Sequence, residues 1–153
     1  MSNKKKTEEL DQVLGKMNPD KIRDYLKENS DSIYPAEGAF SIYMREMFRQ
    51  KGYSQQSVFI RADMPERYGY KIINGEKHTR QRDVIIRLCL ASQFDLTETN
   101  RALKLYGMTE LYSKVPRDTV LIVALNTKMW NSDEVNGLLK ANGFEELYSF
   151  ELD

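Results

Sequence analysis

Apolar residues recur every three or four positions along most of this chain, the spacing of one face of an α-helix. Leu10, Val13, Leu14 and Met17 mark a helix over Thr7–Met17 that stops before Asn18-Pro19. Asn18 as a cap and Pro19 as a first helical residue open a second, Asp20–Glu28, with Ile22, Tyr25 and Leu26 on one side. Asn29–Gly38 is rich in Ser, Asp, Pro and Gly and predicts a connector. Phe40, Tyr43, Met44, Met47 and Phe48 then share a face of Phe40–Lys51, which Gly52 terminates.

Residues 53–76 predict two short helices. Ser54 is a natural cap, Val58, Phe59 and Ala62 face inward, and Asp63-Met64-Pro65 is a tight connection with one apolar anchor. Pro65 suits the start of the second helix, in which Tyr68, Ile72 and Ile73 face inward and Asn74-Gly75 is the stop. Two short helices joined by three or four residues make a helix-turn-helix, whose second helix can enter a major groove.

The C-terminal half repeats. Arg82-Asp83 recurs as Arg117-Asp118 and Leu90 as Leu125, at an offset of 35. After one extra residue the offset is 36: Glu98, Asn100, Leu103, Lys104, Gly107, Glu110, Leu111 and Tyr112 recur as Glu134, Asn136, Leu139, Lys140, Gly143, Glu146, Leu147 and Tyr148. Each unit reads as a helical hairpin, with Asp95 and Asn131 as caps followed three residues later by Glu. Thr119–Leu125 would pass for a buried strand. Its repeat partner Val84–Leu90 continues its apolar pattern to Phe94, long enough for a helix, so both are read as helical and both as central.

The formal charge is zero, from 23 Lys plus Arg against 23 Asp plus Glu. It is unevenly placed: residues 1–40 sum to −1, 41–82 to +5 and 83–153 to −4. A basic middle is the footprint of a phosphate-binding face, although charge alone also fits an unevenly solvated surface. Single Cys89 lies in an apolar run and reads as a buried hydrophobe, and one cysteine makes no internal disulfide, which fits a reducing cytoplasm. No secretory leader is visible, and the longest apolar stretch, Val120–Leu125, is too short for a bilayer, so a soluble protein without membrane contact is expected.

Residues 38–95 resemble the phage-repressor-like (Xre-type) helix-turn-helix regulators. The family pattern falls without gaps on Ser54-Gln55, Val58-Phe59, Asp63-Met64-Pro65 and Ile72-Ile73-Asn74-Gly75. The whole chain is similar to a bacterial subgroup with a helical lead and a repeated tail. The resemblance implies an all-α, lambda-repressor-like domain at 38–95, a helical N-terminal extension at 1–37, and a pair of repeated helical hairpins at 82–153 that shares a helix with the domain before it. Two residues depart from the pattern: Phe59 stands where the family has Ala, and Asp63 where it has a left-handed Gly.

Carried over by position, the resemblance implies that Glu66, Arg67, Tyr70 and Lys71 read bases. Ser54, Gln55, Asn74, Lys77, His78 and Arg80 would hold phosphates. The expected partner is double-stranded DNA, bound by a homodimer because one such domain covers too little sequence. The repeated tail would bind itself or another protein, or else only complete the core. The alternative is an adaptor, or an antitoxin-like protein that masks a partner enzyme, in which the helix pair is mainly scaffold. No enzyme is expected. One His and one Cys cannot supply a metal cluster of the usual spacing, the pairs Glu8-Glu9 and Glu145-Glu146 point apart on their helices, and Gly69–Gly75 is not a phosphate loop, so neither metal nor cofactor is implied.

Overall fold

The computed structural model describes residues 5–33 and 38–150; residues 34–37, the middle of the expected connector, lie outside these. Among the described residues the chain is all-helical, and no helix is long and apolar enough to cross a membrane. It divides into two compact units, 1–37 and 38–153.

In the first unit, α1 spans Thr7–Gly15, a 3-10 turn Pro19–Lys21 follows, and α2 spans Ile22–Glu28. Helix α1 ends two residues earlier than the periodicity predicts. The N–H groups of Lys16 and Met17, just past its end, bond three residues back to the carbonyls of Val13 and Leu14, which leaves Met17 outside the helix. None of the residues of α1 is buried, and Val13, Leu14, Ile22 and Leu26 are all exposed. Tyr25 and Asn29 are buried, and the Asn29 amide donates to the Tyr25 carbonyl at 2.9 Å.

The second unit contains α3 (Ala39–Lys51), α4 (Gln55–Arg61), α5 (Glu66–Asn74), α6 (Arg82–Ala91), α7 (Leu96–Tyr106), α8 (Pro116–Asn126) and α9 (Ser132–Ala141). Its core is the apolar face of α3 together with Val58, Phe59, Ile72, Ile73, nearly all of α6, and Leu103, Leu121 and Leu139. Cys89 is fully buried, and burial pushes its thiol pKa upward.

One turn design joins three of the helix pairs. Asp63, Gln93 and Lys128 adopt left-handed backbone at φ of 53°, 57° and 59°. The next residue in each case donates back over the helix end: Met64 to Phe59 O (3.0 Å), Phe94 to Cys89 O (3.0 Å) and Met129 to Ala124 O (2.8 Å). This closure satisfies carbonyls that a helix end would otherwise leave unpaired. Asp63 thus takes the left-handed conformation without being glycine.

The repeat has a structural meaning that lies between its copies. Arg82 of the first hairpin pairs with Asp118 of the second, and Arg117 of the second grips Asp83 of the first through two bonds of 3.0 and 2.9 Å. Asp118 also accepts from Tyr112 N–H, and Asp83 from Tyr148 N–H, each at 3.0 Å. The side-chain oxygens of Asn100 and Asn136 accept from the N–H groups of Leu111 and Leu147, both at 2.8 Å. The loop after each hairpin is therefore tied to its own Asn and to the other hairpin's Asp. The extra residue that changes the offset falls at Met129-Trp130, and the Trp130 indole N–H donates to the Phe94 carbonyl at 2.9 Å.

Arg87, only 5% exposed, fastens the hairpins to the helices before them. Its guanidinium donates to the carbonyls of Ala62, Leu147 and Tyr148. Burial lowers its pKa, and Asp63 and Asp83 act in the opposite direction from a distance. The expectation that both repeat-opening helices are central holds for α6 alone. Its counterpart α8 leaves Val123, and Val115 just before it, exposed.

Candidate functional site

Helices α4 and α5 position the side chains singled out by sequence. The Ser54 oxygen accepts from Ser57 N–H at 3.1 Å, and the Ser57 hydroxyl returns a bond to Ser54 O at 2.8 Å, which fixes where α4 begins. Ser54 is thus a cap whose hydroxyl hydrogen alone remains free to donate outward. Gln55 beside it is half-buried, and Gln56 reaches across to the Glu66 carboxylate at 3.4 Å.

Helix α5 turns Gly69, Ile72 and Ile73 inward. With 100° between residues, that choice directs Arg67, Lys71 and Asn74 to the opposite side. Arg67 is exposed and Lys71 half-buried, and neither makes an ion pair or side-chain hydrogen bond among the described residues. Glu66 and Tyr70 occupy the flank toward α4, where the Tyr70 ring stands edge-on to Phe59 at 5.0 Å. Tyr68 lies on the other flank against Phe150 at 5.1 Å, with Lys77 Nζ over its ring at 5.2 Å.

The close crossing of α4 and α5 accommodates Phe59 because the residue that faces it on α5 is glycine. A Cβ built on Gly69 would lie 2.5–2.7 Å from three atoms of the Phe59 ring, which is itself fully buried. Glycine at 69 is the space that the ring occupies.

The residues expected beyond the helix divide. Asn74 is committed locally: its oxygen accepts from Glu76 N–H at 2.9 Å and its amide donates to the Glu76 carboxylate at 3.1 Å. His78 rests on the Tyr106 ring at 4.3 Å, and Tyr106 O–H in turn accepts from Thr79 N–H at 2.8 Å. Burial raises the Tyr106 pKa. Arg80 is exposed and carries no ion pair among the described residues.

The +5 charge of residues 41–82 overstates the basic surface. Arg49 pairs with Glu46, Lys51 with Glu98, and Arg82 with Asp118. Arg61 donates to the Ala91 carbonyl at 2.8 Å and lies over the Tyr53 ring. Arg67, Lys71, Lys77 and Arg80 are what remains on α5 and the loop after it, all without a carboxylate partner among the described residues. Sequence reasoning found these four and missed Gly69 and Gln56. The first could have been found as the one glycine within the second predicted helix, opposite an oversized Phe59. The second carries no distinguishing signal.

Among the described residues no group of His, Cys, Asp and Glu could hold a metal ion. Comparison with family models, curated proteins and solved structures returned no match.

Proposed function

We propose that the chain binds double-stranded DNA through α4 and α5, with α5 in the major groove, as a sequence-specific transcriptional regulator of the Xre type. The observation that carries this reading is the pair Arg67 and Lys71. They lie one helical turn apart on the outward side of α5, with no carboxylate paired to them among the described residues. Lys77 and Arg80 extend the unpaired positive charge past the helix end, where phosphates flank a groove. Arg67 donates to a guanine edge, Lys71 to a guanine or phosphate, and Glu66 accepts from a cytosine amino group. Tyr70 offers its exposed edge to a thymine methyl or a phosphate.

A polarisation titration against fragments of the host genome, including the region upstream of the protein's own gene, tests this. Three phosphate-neutralising cations, Lys71, Lys77 and Arg80, give a slope of log K against log salt of about −2.7 for each bound copy. Arg67→Ala should lose about 1–3 kcal/mol of discrimination between cognate and altered sites. Lys71→Glu should weaken binding to every fragment. Indifference to salt and to both substitutions would sink the reading. It would favour the adaptor instead, for which the observation is Ile60, 71% exposed on α4. A partner enzyme that co-purifies with the protein would point to the antitoxin-like form.

A further inference from the structure

The two copies of the repeat end on the same tie and then part. Tyr112 and Tyr148 occupy equivalent places, and the N–H of each donates at 3.0 Å to the Asp of the opposite hairpin. Two residues later the first copy has Lys114, which leads into α8, and the second has Phe150. Phe150 meets the recognition helix. Its ring centre lies 5.1 Å from that of Tyr68 on α5 and 5.5 Å from that of Tyr148. The Tyr148 backbone is held at both ends, its N–H by Asp83 and its carbonyl by the Arg87 guanidinium. Lys77 Nζ lies over the Tyr68 ring, 5.2 Å from its centre, and the Lys77 N–H closes the end of α5 on the Lys71 carbonyl at 3.1 Å. A continuous line of contacts thus runs from the second hairpin to a cation beside α5.

We propose that Phe150 is a positioning residue for DNA binding: it props the Tyr68 ring, and that ring holds Lys77 in place for a phosphate. This rests on the DNA reading above. Tyr68 directly follows Arg67 and precedes Lys71 by three positions, so its flank of α5 borders the side that those two cations occupy. A lysine over the ring is kept near two like charges, from which repulsion would otherwise draw it away. The attraction of the ring offsets that repulsion and the loss of rotamer freedom before any DNA arrives. Cations gathered in this way are unfavourable alone and favourable around a phosphate.

The prop itself is lightly packed. Phe150 is half-buried, and toward the α4–α5 turn it borders a cavity of about 310 Å³ shared with Phe59, Ile60, Met64 and Pro65. Its loss therefore frees Tyr68 without opening a sealed core. The repeated tail then takes part in DNA binding without touching DNA, and a shift of the second hairpin reaches the recognition helix through one ring.

Two measurements on the full chain test it. In proton NMR without DNA, the Lys77 Cε protons should lie upfield of ordinary lysine values, because they sit over a ring. Phe150→Ala should return them toward those values, and Phe150→Tyr, which keeps a ring, should not. In polarisation titrations over a salt series, Phe150→Ala should weaken binding about two- to fivefold. It should also flatten the salt slope toward that of Lys77→Ala, by up to about 0.9. Tyr68→Leu, which removes the ring under Lys77, should match it in both measurements, and adding Phe150→Ala to Lys77→Ala should change little further. Lys77 protons unmoved in Phe150→Ala, a wild-type slope in that variant, or losses that add in the double variant would overturn the proposal. A wild type that binds no fragment would instead sink the DNA reading, and the Lys77 shifts then judge the ring contacts on their own.

Discussion

Replacing Asp118 by alanine should destabilise the protein by about 3 kcal/mol, the lower end of what breaking a buried ion pair costs. Asp118 is almost wholly buried and holds two partners, the Arg82 guanidinium and the Tyr112 N–H. Removing it leaves the Tyr112 N–H without an acceptor and the Arg82 guanidinium with only the Thr109 carbonyl, at 3.5 Å. Arg82 is partly exposed and can turn to water, which is why the upper end is not expected. Asp118→Asn keeps an oxygen for Tyr112 and should cost less. Asp83→Ala should also cost less, because Asp83 is the more exposed carboxylate and Arg117 keeps the carbonyls of Glu145 and Glu146. Urea denaturation monitored by circular dichroism ranks the three. If Asp118→Ala falls within about 0.5 kcal/mol of wild type, a value ordinary for surface changes, the exchanged pairs do not hold the hairpins together.

The second large effect is a reversal of sign at Gly69. An exposed glycine within a helix gains about 1 kcal/mol on change to alanine. Here Gly69→Ala should instead lose about 1–2 kcal/mol, since overpacking costs roughly 1–3 and the added methyl meets a fully buried aromatic ring. Phe59→Ala alone should lose about 3–5 kcal/mol through the cavity it leaves. In that background Gly69→Ala should become stabilising, because its methyl enters the vacated space and the helix propensity acts unopposed. Thermal melts of the four proteins form a double-mutant cycle with a coupling of at least about 1 kcal/mol. Additive losses would show that ring and glycine are independent.

The two cases also mark what sequence alone conveys. Helix content is legible because apolar spacing, caps and stops agree along nearly the whole chain, and the hairpin repeat is legible because the same caps and glycines recur. The pairing of Arg82 with Asp118 is not. An Arg-Asp dipeptide reads the same whether its bonds close within a hairpin or between two. The exposure of α8 is hidden for a related reason: its apolar composition matches that of α6, and only the neighbours differ. At the candidate site, the four unpaired cations are legible from their places on and after α5. The commitment of Asn74 to Glu76 is not, because a two-residue side-chain turn competes locally with any outside contact. Phe59 stands out as an oversized residue, but its accommodation depends on position 69, ten residues away and in van der Waals range only once both helices have formed.

The one tryptophan gives the molecule an optical reporter at an informative place. Trp130 occupies the insertion within the second repeat unit, between α8 and α9, and its indole N–H closes on the backbone at Phe94 in the first unit. Separation of the hairpins would wet that ring. Intrinsic emission therefore follows the joining of the two halves of the tail without any added dye, and sets a clock against which the helicity of the whole chain can be compared.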